Sequence, residues 1–419
     1  MKKYIFLTTL IRGIGGGHIY TLNKIKYLVS VGYSCEFIHA DVLSGNIEIH
    51  ELAQYANNKD ENLQYPPYMY TKNEIEVTLN NIIGIIGDVS NCKEVVIESQ
   101  TINCALWGEL LASRLHAIHF VFLLGELVKT RNQMVEDFWK FKLKRHELYG
   151  ISPNTIKNLF KDSMSKQIGG NVQLKAKCTN TLSDIKYLNK KSIIQTDYTI
   201  GSIGRADKMF IPRALRDIVR YARIHNDKTF CFILIGGATN KRYEKKLIKI
   251  VDKIENISIH ITGLIYPVPV ELVQMPDVFV STAGSARLSE RLGIPTITYD
   301  IHDFKPIGIL GYTTNNVLNR SRQEPPVDIF NLLDDVLMYK KYTKIHKIFT
   351  EVVFTYEEHL QALAACSKQR NYFDTSKARL DNVERFYKLL CHVFGNRRIA
   401  TDILNYLQEM KISLKKIFK

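Results

Sequence analysis

Residues 275–300 read MPDVFVSTAGSARLSERLGIPTITYD, and the order of residue types spells strand, small-residue loop, helix and second strand. DVFVS is a short apolar run bounded by polar residues, the pattern of a buried parallel strand. Ala283, Gly284, Ser285 and Ala286 follow without bulk, so the backbone there can come close to a ligand. The helix that begins at this point presents unpaired N–H groups and the positive end of its dipole, which is an anion site in outline. Glu290 falls one to two turns in, and Gly293-Ile294-Pro295 stops the helix before the strand TITYD.

The alternation extends outward from this stretch. TIGSIG, FCFILIGG and ISIHITG precede it as further strands, and a first series, YIFLTTL, CEFIHA, EVVIES, AIHFVFLL and ELYGIS, alternates with helical patterns at 18–31, 73–86, 101–115 and 129–144. A polar passage at 161–195 separates the two series. Two βα series predict an α/β protein of two doubly wound, Rossmann-like domains with the boundary near 190–198. From about 330 the pattern is helical without strands, through 331–342, 356–366, 376–393 and 400–418. The division expected is 1–195, 196–345 and a helical region 346–419.

Composition narrows the class. At 419 residues, 45% hydrophobic and 24% charged, the chain has the make-up of a soluble globular protein with two cores. No apolar run approaches the roughly 20 residues of a bilayer span. The opening MKKYIFLTTLIRG is read as the first strand and not as a leader, because its apolar run is short and Arg12 interrupts it. Seven cysteines without C-x-x-C spacing argue against a structural zinc or a disulfide framework and fit a reducing cytoplasm. The net charge of +15 favours anionic partners, with basic residues gathered at 129–145, 241–253 and 411–419. Its spread, with no recognised module, argues against nucleic acid.

The chemistry-bearing residues stand at strand ends. Gly13 to Gly17 with His18 follow the first strand and open a helix; Gly204, Arg205, Asp207 and Lys208 follow TIGSI; Gly236 and Gly237 end FCFILI; Thr262 and Gly263 end ISIHI. Glycines there admit a close ligand, and fixed cations would offset charge on a leaving phosphate. Leu264 and Ile265 are candidates for a nucleobase pocket and equally for core. His119, inside an apolar strand, reads as core; His116 is a further candidate. Asp300, His302, Asp303 and Lys305, continued by PIGILGYTTNN, read as a cleft-facing loop in preference to a metal site.

On these residues the chain resembles GT-B glycosyltransferases, particularly family 4: a strand ending in a small polar loop, a helix bearing Glu290, then Gly-Ile-Pro and a strand ending in Asp. The resemblance implies GT-B architecture, two Rossmann-like domains facing a cleft, with C-terminal helices returning toward the first. It implies that Gly284, Ser285 and Ala286 hold a nucleotide-sugar diphosphate, with Gly204, Gly236 and Gly263 lining the same cleft edge and Glu290 binding the ribose. Gly16 and Gly17 would face the phosphates from across the cleft, and Arg205 and Lys208 would bind the diphosphate. His18 and Glu126 are the candidates for chemistry on the acceptor side, since the family's histidine position reads Gly125. Thr282 replaces the first glutamate of the family's E-x7-E arrangement, which bears on the donor sugar. The implied activity is transfer of a sugar, with retention, from a nucleotide-diphosphate donor to a growing surface polysaccharide or lipid-linked acceptor, without metal or cofactor. The implied location is the cytoplasm; the amphipathic basic segment 403–419 suits either an anionic membrane surface or, equally, packing against the first domain. A GT-B sugar-nucleotide epimerase and a non-catalytic GT-B subunit supporting an active partner remain as alternatives.

Overall fold

The structure is a computed structural model that describes residues 1–9, 13–40, 47–56, 58–125, 132–160, 168, 170–187, 189, 193, 195–321, 323–342, 354–366, 371–377, 380, 382–394, 399–400 and 403. Of the residues singled out above, Arg12, Glu126 and the tail from 404 onward lie outside them.

The first sheet is built from β1 (Lys2–Thr8), β2 (Tyr33–His39), β3 (Asn58–Lys59), β4 (Glu94–Ser99), β5 (Ile118–Leu123) and β6 (Leu148–Gly150). They lie in the order β3-β2-β1-β4-β5-β6, all parallel. β1 is buried at every position after Lys2, as a strand covered on both faces must be. Helices α1 (Gly16–Ser30), α2 (His50–Ala53), α3 (Lys72–Ile86), α4 (Ile102–Leu115), α5 (Gln133–Lys144) and α6 (Pro153–Lys157) make the crossovers and cover the faces.

After a short strand β7 (Leu182–Ser183), the second sheet follows with β8 (Tyr198–Ile203), β9 (Phe230–Ile235), β10 (Ile257–Ile261), β12 (Val278–Ser281), β13 (Thr296–Tyr299) and β14 (Pro306–Ile309). Their order is β10-β9-β8-β12-β13-β14, with β14 antiparallel at the edge. β11 (Val268–Pro269) leaves this sheet to pair with β7. The accompanying helices are α7 (Phe210–Ile224), α8 (Arg242–Val251), α9 (Val270–Gln274), α10 (Ala283–Arg291) and α11 (Ile329–Leu333), followed by α12 (Glu357–Ala365) and α13 (Asn382–Phe394). In each sheet the strand order reverses at one place, between β1 and β4 and between β8 and β12, and the crevice outside those strand ends is where doubly wound proteins hold ligands.

Helix starts differ with position. Thr71 and Glu74 form a complete capping box on α3, and Thr101 caps α4. The helices that start beside the two crevices, α1 and α10, have no side-chain cap.

Chain after the second domain returns to the first. Tyr356 and Leu363 are buried with Tyr4, Tyr20 and Phe122. Thr375 Oγ1 donates to Leu106 O at 2.7 Å, and Phe373 N–H donates to Glu109 at 3.0 Å. A buried ionic group fixes the return: Lys24 is bonded to Glu98, which also accepts from Tyr4 (2.6 Å) and Tyr20 (2.8 Å), while His359 Nδ1 lies 3.0 Å from Lys24 Nζ. Burial and the Lys24 charge push the His359 pKa down to about 2. The neutral ring therefore donates from Nε2 to Lys175 O at 2.9 Å and accepts at Nδ1.

Three expectations are corrected. PIGI, read as part of a loop, is the edge strand β14; its proline starts the strand and Gly308 packs against Thr313 and Thr314. The helix expected at 376–393 begins at Asn382, because Thr375 is anchored to α4 and Asp374 accepts the Ser376 amide in a turn. The helix expected over 331–342 is α11 followed by a π-helical turn, Asp334–Met338.

Candidate active site

The loops after β8, β9 and β10 interlock. Gly204 and Gly236 both have φ in the region that favours glycine (+146° and +143°), and a Cβ on Gly236 would sit 2.0 Å from Gly204 O. Gly236 N–H donates to Thr262 Oγ1 at 2.9 Å, and that hydroxyl donates to Gly263 O at 3.0 Å. Glu244 fixes the turn from behind, accepting Ala238 N–H at 2.9 Å and Lys241 at 2.9 Å.

This framework aims two cations. Arg205 Nε donates to Asp207 at 3.0 Å, and one guanidinium nitrogen lies 3.7 Å from where a Cβ on Gly15 would be, across the cleft. Lys208 folds back over Gly204, its Nζ 3.1 Å from that residue's Cβ position. Burial lowers the Lys208 pKa from the ordinary lysine value, and the Arg205 charge lowers it further. Among the described residues its ammonium has no hydrogen-bond or salt-bridge partner. Two like charges held together, one of them partly desolvated, make a site that an anion completes.

The start of α10 faces the same way. Ala283 adopts φ +54°, a strained turn for a residue with a side chain, and donates to Val317 O at 2.8 Å. The next amide with a backbone acceptor outside the helix is Ala286, on Thr282 O at 3.3 Å, which leaves Gly284 and Ser285 at the open end. Thr282 is buried and gives no side-chain cap. The Glu290 carboxylate lies 3.8 Å from the Cβ position of Gly311 and makes no ion pair among the described residues.

The first domain contributes its glycine turn. Gly13 N–H donates to Glu48 Oε2 at 2.7 Å, and Thr239 of the second domain approaches within 3.5 Å of the Gly13 Cβ position. His18 Nδ1 lies 3.6 Å from the Gly15 Cβ position, and Gly17 meets Leu124 at 3.5 Å. His18, Gly15 and Arg205 therefore converge. Gly125 is exposed, and no described residue lies within 4 Å of where its Cβ would be.

Three residues come into view only here: Glu48 on the glycine turn, and Cys178 and Thr179 of the interdomain segment. Cys178 lies 3.1 Å from the Gly16 Cβ position, and Thr179 Cγ2 lies 2.0 Å from that of Gly284. The small size of Gly16 and Gly284 is thus accounted for by the hinge chain itself. Glu48 belongs to no motif, and contacts of a hinge with two distant turns leave no local pattern in a sequence.

The other candidates sit elsewhere. His119 is in the core, bonded to Glu109 at 2.7 Å and Ser99 at 3.0 Å, and burial together with Lys142 pushes its pKa down to about 4. His116 ends α4 at the opposite edge of the sheet. Asp300 accepts the His302 and Arg320 amides, at 2.8 and 2.7 Å, and Asp303 pairs with Arg320, so this cluster closes its own turn. Leu264 packs against the first domain's α1 side and Ile265 into the second domain. No group of three or more His, Cys, Asp or Glu among the described residues is arranged to hold a metal ion, and none of their helices is long and apolar enough to cross a membrane.

No protein-family model matches the sequence, and no curated protein matches it significantly. Solved structures do. Anabaena HepE in complex with UDP-glucose is 12% identical, with a TM-score of 0.51, covering 82% of this chain and 92% of that one. A sucrose-phosphate synthase from Thermosynechococcus elongatus is 12% identical over the same shares, 82% and 92%, with a TM-score of 0.48. A UDP-GlcNAc 2-epimerase from Methanocaldococcus jannaschii in complex with UDP-GlcNAc and UDP is 17% identical, covering 94% of this chain and all of that one, with a TM-score of 0.40. With two Rossmann-like sheets, their crevices facing one another across glycine turns, the chain has the GT-B fold.

Proposed function

We propose that this protein is a glycosyltransferase similar to family 4, which transfers a sugar from a nucleoside-diphosphate donor to a growing surface polysaccharide or lipid-linked oligosaccharide with retention. The observation that carries the reading is the Arg205–Lys208 pair: an unpartnered, partly desolvated ammonium beside an arginine that faces the opposing glycine turn. Cleaving a sugar–phosphate bond builds charge on the leaving diphosphate, and fixed cations plus the open amides of Gly284 and Ser285 stabilise it without reorganising. Glu290 receives the ribose hydroxyls, and His18 stands on the acceptor side. A dry cleft directs the sugar to the acceptor instead of water.

Glu48 and His18 on one turn also favour a second reading, a sugar-nucleotide epimerase, which needs a carboxylate and a histidine in the cleft. Thermal shifts with UDP, GDP, ADP, CMP and dTDP test the nucleotide site. One diphosphate stabilises the protein, and Arg205→Ala and Glu290→Ala each weaken its binding at least about tenfold. No shift with any of them would replace the enzyme reading with that of a non-catalytic subunit. Incubation with the matching nucleotide sugar alone separates the two enzyme readings, because an epimerase inverts a ring carbon without acceptor.

A further inference from the structure

The basic run at 241–253 forms one wall of a cavity outside the cleft. α7 and α8 pack side by side, and between their outer faces lies a cavity of about 550 Å³, within the range that small-molecule sites occupy. Arg213 and Arg216 line it from α7, and Tyr243, Lys246 and Lys249 from α8.

Its charge is unbalanced. Both acids at its edge are committed to arginines outside the lining: Asp207 to Arg205 at 3.0 Å and Asp303 to Arg320 at 3.1 Å. Arg213 reaches Asp217 at 3.7 Å. Arg216, Lys246 and Lys249 have no carboxylate partner among the described residues. A solvated helix face would place acids at i±4 to these cations. The one acid of α8, Glu244, is turned instead to the Ala238 amide and Lys241. An apolar floor of Leu247 and Ile250, the Tyr243 ring, and Met209, 65% exposed at the rim, suit a ligand with a non-polar part beside its charge.

We propose that this cavity binds a phosphorylated ligand, with Arg216, Lys246 and Lys249 holding the phosphate. The same chemistry is offered by a soluble phosphate ester and by the headgroup of an anionic lipid. The proposal does not depend on the cleft binding a nucleotide.

The test uses the full chain carrying Lys208→Ala, which weakens phosphate binding in the cleft and leaves Arg205 paired with Asp207. Calorimetric titration with pyrophosphate probes the soluble source, and sedimentation with phosphatidylglycerol against phosphatidylcholine vesicles probes the lipid. In that background, R216S/K246S/K249S weakens binding at least about tenfold in one arm, and the arm names the source. A control with equal charge loss at exposed lysines outside the lining and on other elements, K93S/K186S/K388S, leaves that binding within about twofold. Absence of binding in both arms, or equal weakening by control and cavity variants, overturns the proposal.

Discussion

Replacing Gly236 by alanine sets a methyl group where the Gly204 carbonyl oxygen already is. The Cβ would stand 2.0 Å from that oxygen, and ordinary contact begins at 3.4 Å, so the two loops must part by about 1.4 Å. The backbone at φ +143° adds conformational strain. Overpacking of this kind costs about 1–3 kcal/mol and a strained residue another 1–3, which puts the expected loss at roughly 2–6 kcal/mol. Because the displaced loop carries Arg205 and Lys208, a shift of order 1 Å also reaches nucleotide binding, by a factor that misplacement makes as large as about 100. Urea unfolding followed by circular dichroism gives the stability, and titration of the stabilising nucleotide gives the second quantity. Gly125→Ala is the internal reference: no described residue lies within 4 Å of its Cβ position, and the change falls within about 0.5 kcal/mol or stabilises slightly. A Gly236→Ala protein as stable as wild type, with unchanged m-value, would refute the claim that the two loops lock through this contact.

Lys208→Met removes a charge that burial and Arg205 both disfavour, so the empty protein keeps or gains stability in urea while nucleotide-diphosphate affinity drops at least about tenfold; a destabilised variant would make Lys208 a structural cation. Bound phosphate favours the protonated ammonium, so wild-type affinity weakens as pH rises through the lowered Lys208 pKa, and calorimetry across that range finds the dependence absent from Lys208→Met. His119, held near 4 against 6.5 when unfolded, contributes stability that is full above 6.5 and is lost as pH falls to about 4, on the order of 3 kcal/mol; His119→Gln flattens that part of the acid-unfolding curve. Lys24→Met leaves Glu98 buried without its cation and costs about 3–5 kcal/mol in urea, whereas a loss below 1 kcal/mol would mean that the site admits water.

The fold was legible because both of its signals are local. Apolar runs such as FCFILI, buried at every position, stand out from amphipathic helices, and glycines mark the strand ends where the crevices open. The position of Arg205 was legible for the same reason, being the residue after the glycine that ends the first strand of the second series. What stayed hidden depends on distant chain. Thr179 and Gly284 are neighbours only once both domains exist, so a glycine that makes room for the hinge reads like one that makes room for a ligand. Glu48 reaches Gly13 from a loop without motif. β14 was masked by a proline and a glycine that ordinarily mark loops, since an edge strand tolerates both.

The return of the last part of the chain bears on the order in which a ribosome delivers this protein. Tyr356, Leu363 and Cys366 complete the cluster around Tyr4 and Tyr20, and Phe373 joins the one around Trp107. All are made after the whole of the second sheet, whose own cluster ends at Leu337 apart from peripheral contacts such as Tyr342. The second domain can therefore finish folding during synthesis, while the first, although translated earlier, waits with part of its core uncovered until Tyr356 to Phe373 emerge.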